Sequence, residues 1–218
     1  MGSSTLEEQT FWTLSLFCLT RGAMFGFGRP RRAGADADPS KLLLPFFRGE
    51  GQDIEGRSLE EIRKWDFNSL EMVHNYVQWL FPTDEMSMFN MDAPMLTPDL
   101  QKEFRDNEDL QNELKKNLTV FCSFLGLERQ VLEDGSVKVV IAKHFAERVP
   151  DCWADMMGRN HNWLRISRVL QCLGLCNLPE EQAAFMECLE QVYEKRLANC
   201  QSAVPHWRER AKTVPADP

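Results

Sequence analysis

The chain has 218 residues, 43% hydrophobic and 27% charged, with a formal net charge of −8 and a pI near 5.1. That length allows one sizeable core, or one core with tails. The acidic balance supplies no general field for nucleic acid. The seven cysteines, odd in number and without a Cys-x-x-Cys pair, argue for reduced thiols in an intracellular protein rather than a disulfide framework.

Residues 4–20 predict a short helix opened by a Ser4/Glu7 capping box. Its apolar part, Phe11 to Leu19, falls short of the roughly 18 residues of a membrane span. Glu7 and Glu8 precede it where a signal peptide carries positive charge. Leu6 occupies the position at which a myristoylation signal needs Ser or Thr. Residues 21–40, with four glycines, two prolines and basic Arg29, Arg31 and Arg32, predict a flexible linker. Residues 1–40 are therefore set apart from a domain expected over 41–200, with 201–218 as a tail.

Within the domain, 41–48 predicts a brief helix or turn and 49–57 a Gly-rich loop. Ser58 and Glu61 form a capping box for a helix to about Trp65. Asp66 or Asn68 caps a helix over 69–81. There Leu70, Val73, Val77 and Leu80 make one apolar face, and Met72, Tyr76 and Trp79 a second. A helix apolar on two faces belongs inside a domain, so Trp79 is expected to be buried and His74 to be a hydrogen-bonded core histidine. Residues 83–96 form a long connection. Thr97-Pro98 starts a helix, and Asn107 caps another that runs to Leu125 and ends at Gly126. The weak alternation of 131–140 about Asp134-Gly135 predicts a small hairpin. Helical stretches follow over 142–157, interrupted at Pro150. A stripe of Trp163, Ile166, Leu170 and Leu173 closes at Gly174, and a further helix spans Pro179 to about Asn199. The expected fold class is all-α, a compact multi-helix domain with at most one small β-hairpin.

Chemical motifs are few. Gly51 to Ser58 nearly matches a phosphate-binding loop, but Arg57 stands where Lys is needed, and Asp53 and Glu55 put negative charge into the cradle. Glu71 and His74 have the spacing of a di-iron ligand pair, without the second pair that such a centre requires. No cofactor and no metal are expected. A nucleophile elbow is absent, whereas a Cys and a His meeting only in space stay open. Cys172 and Cys176 are read as small core residues, and the acceptor pattern Asn117-Leu118-Thr119 lies inside a predicted helix. One polar feature stands out. His161, Arg165 and Arg168 lie along one side of a helix beside Trp163 and could hold a ligand carboxylate or phosphate. The alternative is internal pairing with the acidic 50–113 region.

The run His74, Asn75, Tyr76, Val77, Gln78, Trp79, Leu80, Phe81, Pro82 closely resembles the signature of the opioid growth factor receptor conserved region. Leu44 to Gly51, Asp53, Gly56-Arg57, Trp65-Asp66 and Ala93 to Thr97 resemble further parts of it, as does Asn160 to Leu170 with Leu173-Gly174. The opening part is closer to non-animal members. The resemblance implies an all-α domain, with His74, Tyr76, Gln78, Trp79, Phe81 and Pro82 as signature core. It also implies a peptide- or protein-binding signalling module, with an enkephalin-like peptide as the ligand suggested by the family. It brings no catalytic residue set. His161, Trp163, Arg165 and Arg168 are the candidate ligand contacts. The alternatives are a small intracellular enzyme or a structural scaffold. The implied location is the cytoplasm or nucleus, with peripheral membrane association and no transmembrane segment.

Overall fold

A computed structural model describes residues 38–87, 90–154 and 160–215. The helix expected over 4–20, the linker as far as residue 37, and residues 155–157 of the expected 142–157 stretch lie outside the described residues. Those described hold ten α-helices and one two-stranded antiparallel sheet. The all-α expectation with one hairpin holds.

A 3-10 turn, Pro39–Leu42, leads into α1, Leu43–Phe47. The Ser58/Glu61 capping box is formed in both directions and opens α2, Leu59–Arg63. Asp66 accepts from the Ser69 backbone to cap α3, Phe67–Met72. Here the expectation of one helix over 69–81 is corrected. Val73 leaves the helix at φ −89° and ψ 126°, and a separate turn, α4, spans Val77–Leu80. The cause is Arg165, whose guanidinium donates to the carbonyls of Leu70, Glu71 and Val73. In a continuous helix those acceptors would serve amides four residues on. The break turns His74 and Met72 outward, so His74 is not a core residue and Met72 is 66% exposed. Tyr76, Val77, Trp79 and Leu80 remain buried.

Thr97 caps α5, Pro98–Asp106, and Asn107 caps α6, Glu108–Leu125. Gly126, at φ 80°, ends α6 and reverses the chain into β1, Leu127–Val131. A side chain there would stand 2.7 Å from the Phe145 backbone. The strand therefore begins earlier than its alternation suggests. It pairs with β2, Val137–Ile141, from Leu127 opposite Ile141 to Val131 opposite Val137. The stretch beyond is a short helix, α7, Phe145–Arg148, and a π-helical turn, Val149–Trp153, that accommodates Pro150.

α8 spans His161–Leu175 and α9 Pro179–Glu194, five residues short of the expected end. Gly174 does not stop α8 but lies within it. A Cβ there would collide with the Thr213 carbonyl oxygen, so the glycine admits the C-terminal strap. Gln182 Nε2 fastens the strap by donating to Thr213 O (3.2 Å) and to Leu170 O (2.9 Å). Residues set apart from the domain in the sequence, 201–218, include α10, Val204–Arg210. Its Trp207 is fully buried, meets Trp153 edge-on and donates to Trp163 O at 3.0 Å. Through the centre, Phe46 packs on Trp79, Phe81 on Phe121, and Phe121 on Phe185.

Candidate functional site

The two motifs that carry the resemblance meet in space. Asn160 caps α8 through the Asn162 amide, and this end of α8 faces the break between α3 and α4. Asn162 Nδ2 donates to Glu71 Oε2 at 3.0 Å, while Asn162 Oδ1 accepts from Arg165 at 3.0 Å. Arg165 is 5% exposed and reaches the Leu70 and Val73 carbonyls at 2.9 and 3.0 Å, with its cation over the Tyr76 ring. Arg168 donates to Phe81 O and Thr83 Oγ1 at 3.3 and 3.0 Å. One turn on, Gln171 Nε2 holds Asp84. Trp163 is 2% exposed. Both arginines are thus paired internally, with backbone carbonyls, an amide oxygen and a hydroxyl rather than with acidic side chains.

The solvent-facing rim of this junction is His161, half-buried, with His74 against it at 5.2 Å between ring centroids. His161 Nε2 lies 3.0 Å from Glu71 Oε1, a contact with the distance of a hydrogen bond but not its alignment. Burial pushes the Glu71 carboxyl up, but His161, Asn162 and the Arg165 charge outweigh it, and the net shift is downward. Desolvation, followed by the charges of Arg165 and His161, pulls His74 below its ordinary value. Among the described residues, no three His, Cys, Asp or Glu side chains are grouped to hold a metal ion. Of the signature core residues, Tyr76, Gln78, Trp79, Phe81 and Pro82 are buried and His74 is exposed.

A second feature has no motif in the sequence. A groove of about 1300 Å³ lies between α6, the tip of the hairpin and the start of α9. The end of α1 and the turn after it contribute Phe47, Arg48 and Glu50, and α6 contributes Asn112, Lys115, Lys116 and Thr119. Val131 and Val137, the last cross-strand pair, face it with Arg129. Leu178, Glu180 and Glu181 close the far side. Arg129 grips Glu181 with two guanidinium nitrogens, and Val131 is 62% exposed. Neither Glu71, His74 nor His161 lines the groove. Its residues are ordinary surface types drawn from four separate elements, so no motif in the sequence marks it.

The remaining motifs are structural. In the 51–58 loop, Asp53 Oδ1 accepts the Glu55 and Arg57 amides at 2.9 Å and its other oxygen takes Arg57 Nε at 2.6 Å. A carboxylate occupies the position where a phosphate would sit. All six cysteines among the described residues are buried. Burial pushes the Cys152 and Cys188 thiols up to about 12 and Cys200 to about 11, far from a nucleophilic thiolate at neutral pH. Asn117 is fully buried, donating to Leu80 O at 3.0 Å and accepting from Arg63 Nε at 2.8 Å.

Compared with known proteins, residues 44–209 match the family model described as the opioid growth factor receptor conserved region. The chain is 31% identical to the human opioid growth factor receptor over 159 residues, covering 70% of this chain and 22% of that protein. It is 32% identical to mouse opioid growth factor receptor-like protein 1 over 186 residues, 80% of this chain and 37% of the relative. The frog Xenopus tropicalis has a like protein 32% identical over 133 residues, 59% of this chain and 23% of the relative. The match thus spans well under half the length of these relatives. No solved structure matches the chain.

Proposed function

The chain belongs to the opioid growth factor receptor conserved-region family, and on that premise we propose that it is a peptide- or protein-binding signalling module whose ligand lies in the groove between α6, the hairpin and α9. The observation that carries this is the groove itself. Its volume of about 1300 Å³ exceeds the ~300–1,000 Å³ of most small-molecule pockets. Its walls mix apolar and charged side chains, as a surface for a polypeptide does. The junction of the two signatures fixes α3, α4 and α8 relative to one another, apart from the groove. The enzyme alternative would place its chemistry at the His161–Glu71 pair, which lies outside the groove, or at thiols that are buried. A cytoplasmic or nuclear location, with peripheral membrane contact, goes with the same reading. No helix among the described residues is long and apolar enough to cross a membrane.

The test is titration calorimetry of the full chain with Met-enkephalin and with peptides recovered by pull-down from the native cell. Binding should be lost on Val131→Asp and kept on His161→Ala. The reverse pattern moves the ligand to the rim of the signature junction, where His161 is the accessible member of the set His161, Trp163, Arg165 and Arg168. Failure of every peptide at millimolar concentration favours a scaffold.

A further inference from the structure

We infer that the break between α3 and α4 is a proton-operated latch, in which an uncharged His74 rests against His161 and a protonated His74 leaves the start of α8. The latch belongs to the signature junction and does not depend on the groove. Its charges do not balance once both histidines take protons. Three side chains that can carry positive charge, His74, His161 and Arg165, meet around one carboxylate, Glu71. The two histidine rings lie 5.2 Å apart between centroids, tilted by 50°. Glu71 Oε1 is 3.0 Å from His161 Nε2, and its Oε2 is taken by Asn162. Arg165 bonds to backbone carbonyls and to Asn162 Oδ1, and to no carboxylate among the described residues. One carboxylate offsets one cation at close range, so further positive charge in the same space is repelled.

Arg165 is buried and always charged, and His161 is built into α8 with Glu71 beside it. His74 is the exposed member, on a stretch that belongs to neither α3 nor α4, so it is the one free to move. Its proton affinity agrees. Desolvation, then the charges of Arg165 and His161, outweigh the Met72 carbonyl and Glu71 and hold His74 below its ordinary value while it is in place. Out in solvent that depression is relieved, so the released form binds the proton more readily and acid favours release. The latch is closed above the ordinary histidine value of about 6.5 and opens as pH falls through the lower value of the closed form. Glu71, itself held below its ordinary value, stays ionised across this range. The other neighbours keep their charge state. Burial pushes the Tyr76 hydroxyl and the Cys152 thiol up to about 12. Arg57, which holds the adjacent Asn75, is ion-paired with Asp53, and Glu55 faces the Asn75 amide. Asp151 is ion-paired with Arg148. Release of His74 opens the rim of the junction, while Arg165 keeps Val73 in place.

The test follows the imidazole nitrogens and the backbone shifts of residues 72–76 in the isotope-labelled full chain between about pH 8 and about pH 5. His74 should titrate below the ordinary histidine value. As it does so, the nuclear Overhauser contact between the His74 and His161 rings should fall at least about threefold, and the shifts of 72–76 should move with the same midpoint. His161→Phe keeps a ring and removes a charge, and should move the His74 midpoint upward. His74→Phe should keep the ring contact and flatten the shifts of 72–76 over the whole range. A ring contact that outlasts the protonation of His74 would overturn the latch. So would a His74 midpoint that His161→Phe leaves unmoved, because the two rings would then not be coupled through charge. Shifts at 72–76 that persist in His74→Phe would assign the movement to another group. Movement of the buried Trp207 signals at the same midpoint would make the event general unfolding, and would equally overturn the inference.

Discussion

The signature junction and the groove are built on opposite terms. At the junction, Arg165 is wrapped by three backbone carbonyls and an amide oxygen, Trp163 is sealed, and Glu71 is held from two sides. In the groove, Glu50, Asp109 and Glu180 have no side-chain partner among the described residues and a valine is left in water. The most distinctive stretch of sequence therefore does structural work, and the surface proposed to meet a ligand is written in commonplace residues. Buried polar networks demand particular side chains, because each unpaired atom is costly. A groove for a polypeptide tolerates many.

If that contrast is right, substitutions at the core and junction should destabilise, and those in the groove should not. Trp79→Ala, in the buried α4 turn against Phe46, should cost about 3–5 kcal/mol, read as a lowered denaturant midpoint. An unchanged midpoint would place Trp79 on the surface. Arg165→Met keeps the length and removes the donors. The orphaned carbonyls should cost about 1–3 kcal/mol, with faster amide exchange across residues 73–76. Gly174→Ala drives a methyl into Thr213 and should cost a similar 1–3 kcal/mol by overpacking, measured by thermal melting. Truncating the chain after residue 210 alongside this change should remove most of the extra penalty.

A smaller effect distinguishes the junction by pH. The Glu71 carboxyl is held below its ordinary value in the folded state. Its contribution is present above the unfolded value and is lost as pH falls through the folded one. Stability should thus decline from about pH 5 downward, and Glu71→Gln should flatten that acid limb. A variant with the same acid limb as the parent would show that Glu71 gains nothing from its neighbours. Smallest of all, the triple Glu50→Gln, Asp109→Asn, Glu180→Gln should shift stability within about 0.5 kcal/mol for each exposed site. A larger loss in a denaturant melt would make the groove a structural feature and erase the contrast.

How much of this was legible depended on whether the signal was local. Caps and spacing located α2, α5, α6 and the hairpin, because a capping box or an Asn before an apolar stripe acts within one turn. The split of the 69–81 stretch was not legible. Its apolar pattern is helical throughout, and the agent that breaks it, Arg165, lies about 90 residues further on. Gly174 was misread for the same reason. A glycine after an apolar stripe looks like a stop until Thr213 is seen to need its space. Trp207 looked like part of a polar tail because its burial comes from α8 and Trp153, not from its neighbours in sequence. The pairing of His161 with Glu71 and the convergence of the groove arise only in three dimensions.

Asn117 carries a consequence for where the chain can fold. It stands in a sugar-acceptor pattern, yet its amide nitrogen donates to Leu80 O and its oxygen receives Arg63. Both bonds lie on the inner side of α6, where no space exists for a glycan. A nascent chain threaded into a compartment with glycan transferases would present this asparagine before α6 had packed. A sugar added then would bar α2 and α4 from docking. A forced secretory route would thus convert a structural asparagine into a folding trap.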